Sequence, residues 1–267
     1  MPSFELALLF AFIGAATGSI TSIIRIAPTL VAIPTLYFFL PVFNLSLEKS
    51  VLPIVATCIC AFVPVHLFAW IQAMKVGQVD SNNLIHFAPG IAMGGVIGAQ
   101  TLSLTNFLTF KVAFSVMAIL AIINILPKPK TLKISKFQLS KYAFMPTGIL
   151  IGVVSLVSGN CGRTLSESLC MLTQTDERKS QGTSSGLVVF ASISALVGFI
   201  YPAQTFNSME LSGFAGAVHL PLMVILSISH FVFYWLCRNR GNTLDKRVLS
   251  ISVMIFILCS IIRFWVS

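Results

Sequence analysis

Two arginines stand in short polar breaks between long apolar runs. Arg25 lies in Thr21-Ser22-Ile23-Ile24-Arg25-Ile26-Ala27-Pro28-Thr29, and Arg163 in Ser155-Leu156-Val157-Ser158-Gly159-Asn160-Cys161-Gly162-Arg163-Thr164. Neither break holds an acid, so neither guanidinium has a partner in its own stretch. Such a fork of donors matches an oxyanion, and the free N–H groups and helix N-termini of a broken segment draw negative charge as well. Gly159-Asn160-Cys161-Gly162 has the composition of a backbone nest. The chemistry is binding of a small anion where the two breaks meet. Arg25 and Arg163 would neutralise it, Thr29, Ser158, Asn160 and Thr183 or Ser184 would orient it by hydrogen bonds, and Cys161 would shape the pocket. The competing reading makes Arg25 a cytoplasmic anchor and Arg163 an outer-surface charge.

Glu167 follows Arg163 by one helical turn and either pairs with it at i, i+4 or titrates in proton coupling, since an acid at membrane depth is costly and usually functional. His66 and His219 lie within or beside apolar runs, where each either lines the same cavity or sits satisfied at a helix interface. His86 and His230, like these, lack metal-ligand spacing, and no metal or cofactor is expected. Gly182-Thr183-Ser184-Ser185-Gly186 satisfies G-x-S-x-G, the nucleophile elbow of serine hydrolases, with His219 and His230 downstream. That elbow needs a strand-turn-helix, whereas here it opens an apolar helix. An intramembrane serine hydrolase using Ser184 with His219 is thus the alternative, and small residues for close helix approach explain the match more simply.

The elements that must position these groups are membrane helices. In 267 residues only 9% are charged and 56% are hydrophobic, with 22 Phe, against about 25% charged in a soluble domain. This excludes a soluble domain, a disordered chain and a disulfide scaffold. The six cysteines lie in or at the ends of apolar runs, and about five of them read as packed hydrophobes. The net charge of +9 reads as cytoplasmic-loop lysine and arginine rather than a nucleic-acid surface. The N-terminus has no basic n-region or cleavage site and reads as a first helix.

Apolar periodicity and breaker residues give ten segments, near 4–24, 27–43, 48–74, 82–104, 108–126, 141–158, 164–173, 181–201, 211–237 and 246–266. The seventh is too short to cross a hydrocarbon core of about 30 Å and reads as a broken or re-entrant element. A connector at 127–141, with five lysines and no acid, separates a repeat at 1–126 from one at 142–267. Twelve basic residues follow odd-numbered segments and two, Lys49 and Lys111, follow even-numbered ones, which places the connector in the cytoplasm and both termini outside. Five segments per half means the second half enters from the opposite side, the inverted topology of transporters. Gly14-x-x-x-Gly18-x-x-Thr21 matches Gly148-x-x-x-Gly152-x-x-Ser155 at an offset of 134, and Lys49-Ser50 matches Lys179-Ser180 at 130. The expected fold is all-α and polytopic, with two inverted halves of about five segments.

The pattern resembles the TauE/SafE family, also known as the sulfite exporter or toluene sulfonate uptake permease family. The resemblance rests on 14–34 and 148–168, on Lys179-Ser180-Gln181-Gly182-Thr183-Ser184, and on Gly77-Gln78-Val79-Asp80 leading to Gly94-Gly95-x-x-Gly98-Ala99. Where the family carries a run of glycines, this chain reads Arg25-Ile26-Ala27-Pro28-Thr29 and Asn160-Cys161-Gly162-Arg163, so membership is better marked than substrate. The resemblance implies transport, often outward, of sulfur-containing or organic anions such as sulfite, sulfoacetate or other sulfonates, across a plasma membrane of the bacterial inner-membrane type. The partners implied are a small anion and the bilayer, with no nucleic acid, and the small-residue faces are suited to packing within a protomer or in a homodimer. No G-x-x-x-x-G-K-[ST] loop occurs, so energy would come from a gradient or a partner protein.

Overall fold

A computed structural model describes residues 4–24, 26–43, 47–125, 141–173, 177–203, 213–238 and 245–266. Arg25 and nearly all of the basic connector lie outside the described residues. The first half comprises α1 (Phe4–Ile24), α2 (Thr29–Phe39), α3 (Leu47–Lys75), α4 (Ser81–Leu104) and α5 (Phe107–Ile125). The second comprises α6 (Phe144–Val157), α7 (Arg163–Thr173), α8 (Glu177–Ile200), a two-stranded hairpin of β1 (Phe214–Ala215) and β2 (Val218–His219), α9 (Leu220–Arg238) and α10 (Lys246–Val266).

Among the described residues, α1, α3, α4, α5, α8, α9 and α10 are long and apolar enough to cross a membrane. On α5 the exposed residues Leu108, Val112, Val116, Ile119 and Ile123 repeat at helical spacing, while Phe110, Phe114, Met117 and Ala121 are buried. Such a helix has an apolar face for lipid and an apolar face for protein. The chain is an all-α polytopic integral membrane protein.

Two expectations are corrected. The second segment, read as 27–43, is α-helical only over 11 residues, Thr29–Phe39, before a 3₁₀ turn at Leu40–Phe43. Pro41 disfavours the α conformation at Leu40, so both halves carry a short helix after the break and not the second half alone. The ninth segment, read from 211, begins as a helix at Leu220. Gly213 at φ +109° and Gly216 at φ +60° hold backbone that ordinary residues avoid. They fold 213–219 into a hairpin pairing Phe214 with His219, and Ala217 N–H donates to the Phe199 carbonyl at the end of α8.

The most extensive helix contacts cross between halves: α1 against α9, α4 against α6 and α8, and α3 against α8. Gly14 faces Leu226 to His230 of α9, and Gly18 faces His230 and Tyr234, so the two helices run parallel. Gly90, Gly94 and Gly98 step along α6 in the same way, with Gly94 against Gly152. Without Cβ atoms the backbones approach closely, which replaces hydrophobic driving force with dispersion contacts. These small-residue faces are therefore occupied within the protomer. Exchanging each helix of the first half for its counterpart in the second turns the α1–α9 contact into α6–α4, α2–α3 into α7–α8, and α5–α7 into α10–α2, all of which exist.

Asp80 starts α4 by accepting the N–H groups of Asn82 at 3.0 Å and Asn83 at 3.3 Å through Oδ1. Losing such a cap costs about 1 kcal/mol. Asp80→Ala should lower the thermal midpoint accordingly.

Candidate functional site

The chain leaves α6 at Val157 and re-enters helix at Arg163. Gly159 at φ +69° and Gly162 at φ +89° make the turn. It is tied by Asn160 N–H to the Ser155 carbonyl at 2.9 Å and by the Asn160 amide to Thr164 Oγ1 at 2.7 Å. Ser158, Asn160, Cys161, Arg163 and Thr164 are all buried. The other break, between Ile24 and Thr29, delivers the buried Thr29 beside the Cys161 thiol. His66, from α3, approaches the same thiol with Nε2 3.4 Å from Sγ.

Arg163 is only 7% exposed. Its Nε has no hydrogen-bond partner, and no acid among the described residues lies within ion-pair distance of its guanidinium; Glu167, one turn on, does not pair with it. Arg163 instead forms part of the wall of two cavities. The first, about 150 Å³, is lined by His66, Gln72, Gln181, Ser185, Tyr234 and Arg238 with Arg163. The second, about 360 Å³, is lined by Asn124, Thr164, Glu167, Gln181, Lys246 and Ser250 with Arg163. Both lie toward the end of the bundle where α1, α3, α5 and α9 finish and α8 and α10 begin.

The structure brings Thr29, Cys161 and His66 together beside the turn that carries Ser158, Asn160 and Arg163; of these only Arg163 and His66 line a cavity, and Glu167 lies on the wall of the wider one. Arg25 cannot be placed, being outside the described residues. Thr183 and Ser184 line neither cavity. Thr183 Oγ1 accepts the Asp80 N–H at 2.9 Å, joining α8 to the start of α4, and Ser184 donates to the Gln181 carbonyl at 2.9 Å. Their neighbours Gln181 and Ser185 line the first cavity instead.

The hydrolase pair is not assembled. Ser184 is in the second turn of α8, while His219 follows a residue bonded to Phe199 at that helix's far end. The fifteen positions from Ser184 to Phe199 are about 22 Å of helix at 1.5 Å per residue. His219 Nδ1 accepts the Leu222 N–H at 3.3 Å, which caps α9. The two glycines of the motif serve packing: Gly182 abuts the Gln78 carbonyl and Gly186 the Trp70 indole.

Sequence reasoning missed Gln72, Gln181, Tyr234, Arg238, Asn124 and Lys246. Asn124 carried a signal, as an amide in the last turn of an apolar helix; it donates to Ser168 Oγ at 3.0 Å and the Thr164 carbonyl at 3.3 Å, bracing α7 against α5. Arg238 and Lys246 read as loop charges because they end and begin helices.

Fold and site define a polytopic membrane protein whose polar interior is built around a buried cation. The family model for the sulfite exporter TauE/SafE matches residues 10–264, nearly the whole chain, and the chain belongs to that family of membrane transporters. No curated protein and no solved structure matches it.

Proposed function

We propose that the protein moves small sulfur oxyanions, sulfite or sulfonates such as sulfoacetate, across the membrane by alternating access, with Arg163 as the charge that holds them. The observation carrying this reading is a buried guanidinium with no ion pair among the described residues, at the meeting of two polar cavities. An uncompensated buried charge is strongly unfavourable, and a bound anion offsets it with charge-assisted hydrogen bonds. Asn160 and Ser158 hold the turn that presents Arg163, and Arg25 remains the candidate second cation. The family's description as a sulfite exporter supports outward movement.

The mirrored helix contacts support two repeats, and the excess of basic residues after odd-numbered segments supports a cytoplasmic connector with both termini outside. On that orientation the basic residues Lys75, Arg238 and Lys246 mark the cavity end as cytoplasmic. The glycine-mediated α1–α9 and α4–α6 contacts make the sequence halves poor moving bodies. The moving groups are α1, α3 and α9 against α4, α6 and α8, rocking about the α3–α8 seam, beside the cavity that Arg163 and His66 line.

Liposomes containing the purified protein and loaded with a small radiolabelled sulfonate test this. Efflux should exceed that of protein-free liposomes and be inhibited by sulfite but not by a neutral sulfone of the same size. Equal inhibition by the sulfone, or no protein-dependent efflux of any sulfur oxyanion, would sink the reading.

A further inference from the structure

The cavity that holds Arg163 and His66 has, among the described residues, no carboxylate in its wall. His66 is 2% exposed, and its Nε2 meets the Cys161 thiol, a weak donor, at 3.4 Å. Cys161 is two residues from Arg163. Phe62, one turn before His66 on α3, packs on the ring of a second buried histidine, His230 of α9, with centroids 4.6 Å apart. His230 Nδ1 lies 2.8 Å from Thr17 Oγ1. That hydroxyl donates to the Ile13 carbonyl at 2.7 Å, so it accepts from Nδ1–H. His230 Nε2 is thereby left as a buried acceptor with no hydrogen-bond partner.

The charged and titratable groups around His66 are few. From α7 and its preceding turn come Arg163 and Cys161, from α9 His230, Tyr234 and Arg238; α1 contributes Thr21 and α8 contributes Gln181 and Ser185, which do not ionise. Asp80, at the start of α4, is engaged as a helix cap. A proton on His66 in the empty site would add a positive charge beside Arg163 with no negative charge opposing it. An oxyanion on Arg163 supplies that negative charge.

We propose that His66 takes up the proton that accompanies each anion, so that anion and proton bind cooperatively and cross as a pair. The inference rests on the anion site proposed above. By linkage the effect is reciprocal: the anion favours the proton as much as the proton favours the anion. Two charges enter together in place of one, which keeps the loaded site near the charge of the empty one. His230, packed on Phe62 one turn from His66 along α3 and with a free acceptor nitrogen, is the next stop for the proton toward α1. Glu167 faces the other cavity and is not required.

The test uses the purified full chain and methanesulfonate, which stays ionised between about pH 5 and pH 8, the range in which histidine titrates. Calorimetric titration in two buffers of different ionisation enthalpy counts protons taken up on binding. Wild type should take up to about one proton per sulfonate, and on the basic side of the His66 titration its affinity should fall about tenfold per pH unit. His66→Gln should bind with no proton uptake and an affinity independent of pH. Sulfonate binding by wild type without proton uptake overturns the inference and leaves the anion site standing. Full proton uptake by His66→Gln also overturns it. Wild type that binds no sulfonate at any pH overturns both together. Because the wild-type measurement decides by itself, misfolding of the variant does not rescue the idea.

Discussion

Arg163→Ala should weaken sulfonate binding on the order of 100-fold or more, since hydrogen bonds to a charged group contribute about 1.5–3 kcal/mol each and the guanidinium fork offers two. The same substitution should leave the anion-free protein as stable as wild type, or more so. Arg163 is buried with no ion pair among the described residues, and replacing such a group with an apolar one removes a desolvation cost. Thermal unfolding with and without sulfonate checks both halves of the expectation. Wild type should show a ligand-dependent rise in midpoint that follows occupancy, whereas Arg163→Ala should begin no lower and rise not at all. Arg163→Lys keeps the charge, loses the bidentate geometry and should fall between. A variant that starts markedly lower and still responds to sulfonate would make Arg163 a structural residue and end its role in binding.

The second large effect concerns the α4–α6 contact. A methyl carbon on Gly152 would lie 2.8 Å from Gly94 Cα and 2.8 Å from the Ile91 carbonyl. Both neighbours are backbone, so no side chain can rotate away and the helices must part. Overpacking of this kind costs about 1–3 kcal/mol even where side chains can adjust. Gly152→Val should exceed that range and be seen as a large drop in thermal midpoint or failure to recover folded protein. Gly77 provides the comparison. Nothing lies within 4 Å of a methyl there, but its φ is +68°, so Gly77→Ala should cost only the left-handed penalty of about 1–2 kcal/mol. If the two variants are equally stable, close backbone approach is not what joins α4 to α6.

The broken segments were legible in the sequence because a polar stretch inside an apolar run has few other uses at membrane depth. Arg163 and the residues from Ser158 to Cys161 follow from that alone. His66 was legible as an ionisable residue in an apolar helix, although its partner Cys161 is 95 positions away and nothing in the spacing announces the pair. The start of α8 was misread by one face. Gln181 and Ser185, separated by one turn, line the cavity, whereas Thr183 and Ser184 between them are buried. An all-small stretch such as Gly182 to Gly186 has no apolar period, so the sequence offers no way to choose its inward face. Tyr234 and Arg238 form a similar one-turn stripe on α9, hidden because an arginine at a helix end reads as an interfacial anchor. The α2 boundary and the hairpin before α9 were lost to Pro41 and to two glycines whose conformation the sequence does not display.

The α1–α9 contact also fixes an order of events during synthesis. Thr17 and His230 are 213 positions apart, so at about 5–20 residues per second the first helix waits on the order of 10–40 s for its partner. Throughout that interval Gly14 and Gly18 face lipid or a temporary neighbour. The Thr17 hydroxyl already bonds the Ile13 carbonyl of its own helix, so α1 can wait without an unsatisfied polar group. The histidine side of the interface therefore arrives last, and truncation before α9 should leave a chain that inserts but never closes its first helix into the bundle.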